Sequence, residues 1–154
     1  MQIINHDIWW QQTTYEGSVV LVTTNGIRNQ DGCLVMGKGI ALQAKLRYRG
    51  IDRKLGGLVK IYGNLPHYLP SNQIISFPTK NHWKDNSDID LIKKSAKITL
   101  DLVNLYEIPQ IYLPKVGCGN GNLKWEDVEK VLFFMICLDT VEKIRYILIL
   151  RTKG

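Results

Sequence analysis

This sequence lacks the residue patterns that mark a metal centre, a disulfide scaffold or a membrane span. Its three cysteines, Cys33, Cys118 and Cys137, are odd in number and far apart, with no C-x-x-C pair. Neither a disulfide framework nor a zinc knuckle follows from them. His6, His67 and His82 are equally scattered, so the short ligand spacing of a zinc site is missing, and neither metal nor cofactor is expected. No apolar run approaches the roughly 20 residues that cross a bilayer. The segment from Met1 to Asp7 has neither the basic stretch nor the apolar core of a signal peptide, and the expectation is a cytoplasmic domain with no membrane partner. A G-x-x-x-x-G-K-[ST] loop is absent, which disfavours a Walker-type ATPase. There is no G-x-G-x-x-G after the first strand, which disfavours a standard dinucleotide dehydrogenase.

What is present fits a single domain over residues 1–154. At 154 residues and 45% apolar composition, the chain can bury one sizeable core. Short β-branched runs alternate with amphipathic ones. Gln2 to Ile4, Val19 to Thr24, Gln73 to Phe77, Ile111 to Leu113 and Arg145 to Leu150 read as strands, with Leu58 to Tyr62 as a weaker sixth. Ile40 to Tyr48, Ile51 to Leu55, Asp88 to Tyr106 and Trp125 to Met135 read as helices, the third entered through a capping box of Ser87 with Asp90. Alternation of this kind predicts an α/β fold, a three-layer α/β/α sandwich around a mixed sheet. The net charge of +6 is concentrated in the middle of the chain, from Lys45 to Lys60 and from Lys80 to Lys97. It fits a polyanionic ligand or a nucleic-acid-linked substrate, and equally fits ordinary solvated helix faces.

Two glycine loops carry the chemistry. Pro114-Lys115-Val116-Gly117-Cys118-Gly119-Asn120-Gly121-Asn122 follows an apolar strand and leads into a helix start at Trp125. Met36-Gly37-Lys38-Gly39-Ile40-Ala41 precedes another helical run. Bare backbone N–H groups next to a helix N-terminus hold phosphate, and two such cradles point to a diphosphate. Both loops and the Phe77-Pro78-Thr79-Lys80 segment directly follow a predicted strand, so in a parallel sheet all three would converge at the strands' carboxyl ends. Cys118 has no histidine beside it and reads as a small packed residue whose backbone does the binding. Trp83 and Trp125 read as packing residues, Trp83 with a second possibility of bordering a substrate.

The order and wording of these segments resemble the macro domain family, which binds ADP-ribose, and within it the branch containing the DarG antitoxin and the terminal ADP-ribose protein glycohydrolase. His6-Asp7-Ile8 looks like the family's segment after the first strand, which implies adenine recognition by Asp7 and Ile8. Thr24-Asn25-Gly26 places Asn25 near the distal ribose. Residues 36–42 are similar to the branch's first phosphate loop, implying contacts from Gly37, Lys38, Gly39, Ile40 and Ala41. Residues 117–125 are similar to its second, implying contacts from Gly117, Cys118, Gly119, Asn120, Gly121 and Asn122. Phe77-Pro78-Thr79-Lys80-Asn81-His82-Trp83 is similar to the segment bearing the catalytic lysine. That likeness places the role on Lys80, with Asn25 beside it and Thr79 at the site.

Two departures accompany the likeness. Val22 stands where the family has a first asparagine, and the segment from Ile27 to Leu34, which reads as a surface turn, is longer than its DarG-like counterpart. As in the DarG-like pattern, Gly121 stands where the terminal glycohydrolase has an assisting aspartate. Catalysis would then rest on Lys80 with Asn25, backbone amides or a bound water. Lys80 could attack C1″ of the ribose, exchange a proton, or stabilise the departing group. The implied function is hydrolysis of an ADP-ribosyl linkage on a nucleic acid or protein. The alternatives are a non-catalytic ADP-ribose reader and an enzyme for a small derivative such as ADP-ribose 1″-phosphate. The resemblance allows a toxin partner without identifying one.

Overall fold

The computed structural model describes residues 2–4, 7–9, 16–138 and 145–149. Six strands form one mixed sheet: β1 (Gln2–Ile4), β2 (Val19–Thr24), β3 (His67–Leu69), β4 (Ile74–Pro78), β5 (Gln110–Leu113) and β6 (Arg145–Ile149). Their order is β1-β6-β5-β2-β4-β3, all neighbours parallel except the β3/β4 edge pair. Among the described residues, four full helices connect them: α1 (Gly39–Arg47), α2 (Ile51–Tyr62), α3 (Ile89–Leu105) and α4 (Trp125–Leu138).

Strand periodicity explains the layering. Along β2, Val20 and Val22 face one way and Val19 and Leu21 the other, so each face acquires its own core. Val20 and Val22 join Ile74 and Tyr112 beneath Ile40, Ala44, Ile51 and Leu55 of α1 and α2. Val19 and Leu21 join Ile75, Phe77, Ile111 and Leu113 beneath Ile92, Val103, Val128 and Leu132 of α3 and α4. Continuous apolar runs in β2, β4 and β5 are therefore the signature of a sheet covered on both sides. The three-layer α/β/α expectation is met, and Val22, in place of a polar residue, is wholly buried in the first core.

Several local expectations are corrected. Leu58 to Tyr62 is not a strand but the second half of α2, which runs through Gly56 and Gly57. Gly56 is there because α2 packs on the backbone of residues 32–34: a Cβ at Gly56 would overlap the Gly32 carbonyl oxygen and lie 2.9 Å from the Leu34 nitrogen. β3, between Pro66 and Pro70, carries too few residues to show a period. The cap of α3 is Asp88 rather than Ser87, its carboxylate accepting from the N–H groups of Asp90 and Leu91. The Ile27 to Leu34 excursion, read as a surface turn, closes on itself through an antiparallel bridge between Arg28 and Leu34, and buries Cys33 and Leu34. Leu150 lies outside the described residues. No helix among those residues is long and apolar enough to cross a membrane.

The two adjacent helical glycines should respond oppositely to alanine. Gly56→Ala should lower unfolding stability by about 1–3 kcal/mol through overpacking. At Gly57 an added Cβ meets nothing within 4 Å, so Gly57→Ala should raise stability by up to about 1 kcal/mol through helix propensity. Urea denaturation of the two variants measures both, and equal signs would contradict the packing of α2.

Candidate active site

The parallel strands β2, β4 and β5 bring their carboxyl ends to one edge of the sheet. The chain leaves β2 towards the α1/α2 face and leaves β5 towards the α4 face, so a crevice opens between them. A cavity of about 610 Å³ lies there, with Asn25, Thr79, Lys80 and both glycine loops, residues 37–41 and 117–121, in its wall. Among the described residues three lysines line it, Lys38, Lys80 and Lys115, and no carboxylate does.

The main chain around Lys80 is pinned on every side. The Thr79 N–H donates to the Thr24 carbonyl at 3.1 Å, and the Thr79 carbonyl accepts from Asp88 N–H at 2.8 Å. The Asn64 amide donates to the Lys80 carbonyl at 3.2 Å and to Asn81 Oδ1 at 3.0 Å. Gly26 N–H donates to the Asn81 carbonyl at 3.0 Å, and a Cβ on Gly26 would stand 3.0 Å from the Asn64 amide group. From this fixed base Lys80 reaches across the mouth, and Nζ donates to the Asn120 carbonyl at 3.3 Å. Lys80 is half-buried, whereas Lys38 and Lys115 are exposed.

The first glycine loop does not directly follow a strand, contrary to expectation; the closed excursion of residues 27–34 intervenes after β2. It still ends at a helix start. Lys38 is the N-cap of α1 in extended conformation, its side chain makes no capping bond, and the first turn holds no acidic residue. The orphan N–H groups at the start of α1 are thus left to whatever enters the cavity. The second loop works differently. Glu126 and Asp127 already occupy the first turn of α4, and that turn is not part of the cavity wall. What the loop offers is its own backbone. Ser87 N–H donates to the Gly121 carbonyl and Leu123 N–H to the Gly117 carbonyl, both at 2.9 Å. The N–H groups of Gly119, Asn120 and Gly121 find no acceptor among the described residues.

Glycine is required at two points of this loop and optional at a third. Gly117 has φ +75°, and its Cβ would lie 2.8 Å from Ile92 Cδ1. A Cβ on Gly121 would overlap Ser87 Oγ and the Gly117 carbonyl oxygen. An aspartate at this position therefore cannot be accommodated without moving the loop away from α3. At Gly119 a Cβ meets nothing within 4 Å.

Asn25 is 8% exposed, and both ends of its amide are engaged: Nδ2 donates to the Val35 carbonyl and Oδ1 accepts from Ile27 N–H, each at 2.9 Å. It clamps the excursion shut and so sets the first glycine loop in place. Asp7, Ile8 and Asn122 are not in the cavity wall. Asp7 Oδ1 accepts from Trp9 N–H at 2.8 Å, Ile8 is wholly buried in the first core, and exposed Asn122 donates to Asn86 Oδ1 at 2.8 Å. His6 lies outside the described residues.

The wall also holds residues outside the expected binding set, Ser87 and Trp83 among them. Ser87, read as a cap, is 7% exposed, and its Oγ has no hydrogen-bond partner. The signal that could have found it is its place just before the true cap. Trp83, read chiefly as packing, is 47% exposed. Cys118 is part-buried in the wall, and burial pushes its thiol pKa up. No group of three or more His, Cys, Asp or Glu side chains among the described residues is arranged to hold a metal ion.

Comparison with known proteins agrees with this architecture. The family model for the Macro domain matches residues 51–132. The chain belongs to the macro domain family. A DNA ADP-ribosyl glycohydrolase of Mycobacterium tuberculosis is 33% identical over 126 residues, covering 75% of this chain and 36% of that relative. One from Thermus aquaticus is 31% identical over 106 residues, 62% of this chain and 29% of the relative. This macro domain thus spans about a third of the length of the curated relatives it matches. Among solved structures, the macrodomain of Mycobacterium tuberculosis DarG superposes with a TM-score of 0.79 at 26% identity, covering 98% of this chain and 97% of the other.

A raised thiol pKa leaves less thiolate at neutral pH. Alkylation of Cys118 in this macro domain by iodoacetamide should therefore be slower at pH 7.5 than that of an unstructured cysteine peptide, with its rise displaced to higher pH. Peptide mass mapping reads the site-specific rate. A rate matching or exceeding the free peptide would contradict the packed, non-nucleophilic reading of Cys118.

Proposed function

We propose that the cavity holds ADP-ribose and that the domain hydrolyses an ADP-ribosyl linkage on a macromolecule, with Lys80 as the catalytic residue. The observation that carries this reading is the placement of Lys80: its main chain is fixed from both sides, and its Nζ hangs at 3.3 Å from the backbone of the second glycine loop. A diphosphate bound by the start of α1 and the free amides of residues 119–121 would anchor the substrate remotely. It would thereby bring the distal ribose to Lys80, so that binding energy orients the reacting carbon. The three described lysines in the wall favour the polyanion, and no described carboxylate there repels it. The names of the relatives, DNA ADP-ribosyl glycohydrolases, support both the reaction class and a nucleic acid as acceptor.

With no carboxylate among the described wall residues to activate water, the route that asks least of the site is nucleophilic. The Lys80 amine attacks C1″, a C–N bond forms, and the glycosidic bond breaks with its electron pair going to the acceptor, which takes up a proton from the lysine nitrogen. The C1″–O4″ bond then opens, the ring oxygen taking the remaining N–H proton as the nitrogen lone pair forms a C=N bond. Water then attacks C1″, the C–N bond breaks, and ADP-ribose and the lysine are released. Asn25, through the remaining hydrogen of its amide, and Thr79 would orient the ribose. Asp7 and Ile8 would serve the adenine end from beyond the cavity wall, and Asn122 would support the second loop from outside.

A reader that binds without turnover is the second reading, and the packing at Gly121 favours it, since no assisting carboxylate fits there. Two measurements separate the readings. Calorimetric titration with ADP-ribose should show binding to wild type and at least a tenfold loss in Gly119→Glu, whose carboxylate enters open space without disturbing the fold. Unchanged affinity would remove the second loop from the site. Reductive trapping during turnover should add ADP-ribose to a peptide containing Lys80. A turnover-competent enzyme without that adduct would leave Lys80 a proton-transfer or electrostatic role.

A further inference from the structure

Trp83 is a large aromatic side chain that the fold leaves uncovered at the mouth of the cavity. It follows Lys80 by three positions, stands in the cavity wall and is 47% exposed. Trp125, by contrast, packs against the α3/α4 core. An indole held at a site mouth with open ring area is an unspent stacking surface, because planar ligands gain both burial and π contact there. Its neighbours are basic. The Lys84 ammonium stands over the ring, 5.1 Å from the centroid, and the His82 ring lies 5.4 Å away with 30° between planes. Lys84 N–H donates to His82 Nδ1 at 3.1 Å, which holds the three residues as one unit. Lys84 is exposed, so its flexible side chain can leave the ring face without breaking buried contacts.

We propose that Trp83 is a stacking platform for a nucleobase of a single-stranded nucleic acid, beside the nucleotide that carries ADP-ribose. The ammonium of Lys84 moves from the ring face to a backbone phosphate as the base arrives. This inference rests on the reading of the cavity as an ADP-ribose site with a nucleic acid as acceptor, and adds the residue that grips the strand beside the modified nucleotide. Alternating π faces and phosphates are what such a strand presents, and an aromatic paired with a mobile cation matches one repeat of it. A duplex keeps its bases stacked on one another, so it has no free face to offer the ring.

The test is a titration of a short, labelled, unmodified single-stranded oligonucleotide and its duplex, by fluorescence anisotropy, with wild type, Trp83→Ala and Trp83→Phe. Free ADP-ribose is titrated into wild type in parallel. Loss of one stacked base should weaken strand binding at least about five-fold in Trp83→Ala. Trp83→Phe should recover most of that loss, and the duplex should bind wild type more weakly than the strand. Equal strand affinity for wild type and Trp83→Ala, with ADP-ribose binding intact, would overturn the stacking platform and leave the cavity reading standing. Equal affinity for strand and duplex would overturn it too. Failure of wild type to bind ADP-ribose would instead overturn the cavity reading itself.

Discussion

The site depends on how closely the second glycine loop lies against the start of α3. At Gly121 there is no room for even one carbon between the loop, the Ser87 hydroxyl and the Gly117 carbonyl. That contact draws the loop down so that the Asn120 carbonyl comes within 3.3 Å of Lys80 Nζ. It also leaves the next amides without acceptors. The same closeness removes any place for a carboxylate at that position. A site with a tightly drawn loop and a lone half-buried lysine is therefore one arrangement, not two independent features.

The rest of the fold serves this geometry. Pairing of Thr24 with Pro78 fixes the carboxyl ends of β2 and β4 side by side, and Asn25 then turns the chain into the clamped excursion that delivers the first glycine loop. The cap of α3 is one residue beyond Ser87, and the hydrogen bond from Asp88 N–H to the Thr79 carbonyl ties the strand end to the helix start. Electrostatics follow from composition at the same place. The first turn of α1 is free of acidic residues while that of α4 is not, so the anion-attracting helix end faces the cavity and the other does not.

Much of this was legible in the sequence. The apolar runs of β2, β4 and β5 announced a sheet buried on both faces, and the spacing of Ile89, Ile92, Ala96, Leu100 and Val103 announced α3. The two glycine loops were readable because backbone approach to a ligand needs glycine, and few other constraints put three of them in five residues, as at residues 117–121. Lys80 was singled out only through the family resemblance. What escaped were features set by tertiary contact. Gly56 and Gly57 looked like the end of a helix because nothing local reveals that Gly56 lies on the backbone at Gly32. Val22 looked like a lost ligand, yet its side chain points into the core. Trp83 looked mainly like packing because an exposed indole has the same letter as a buried one, and the clamp that Asn25 places on the excursion after β2 is a tertiary role that its letter does not announce.

The proposed reaction needs only Lys80, with no carboxylate beside it among the described residues, to break an ADP-ribosyl linkage. The most direct measurement is release of ADP-ribose from ADP-ribosylated single-stranded DNA, followed by chromatography, with wild type and Lys80→Ala side by side and binding of free ADP-ribose measured for both. The account predicts release by wild type, none above background by Lys80→Ala, and ADP-ribose binding by both. Release by Lys80→Ala at the wild-type rate would contradict it, as would the absence of release by a wild type that binds ADP-ribose.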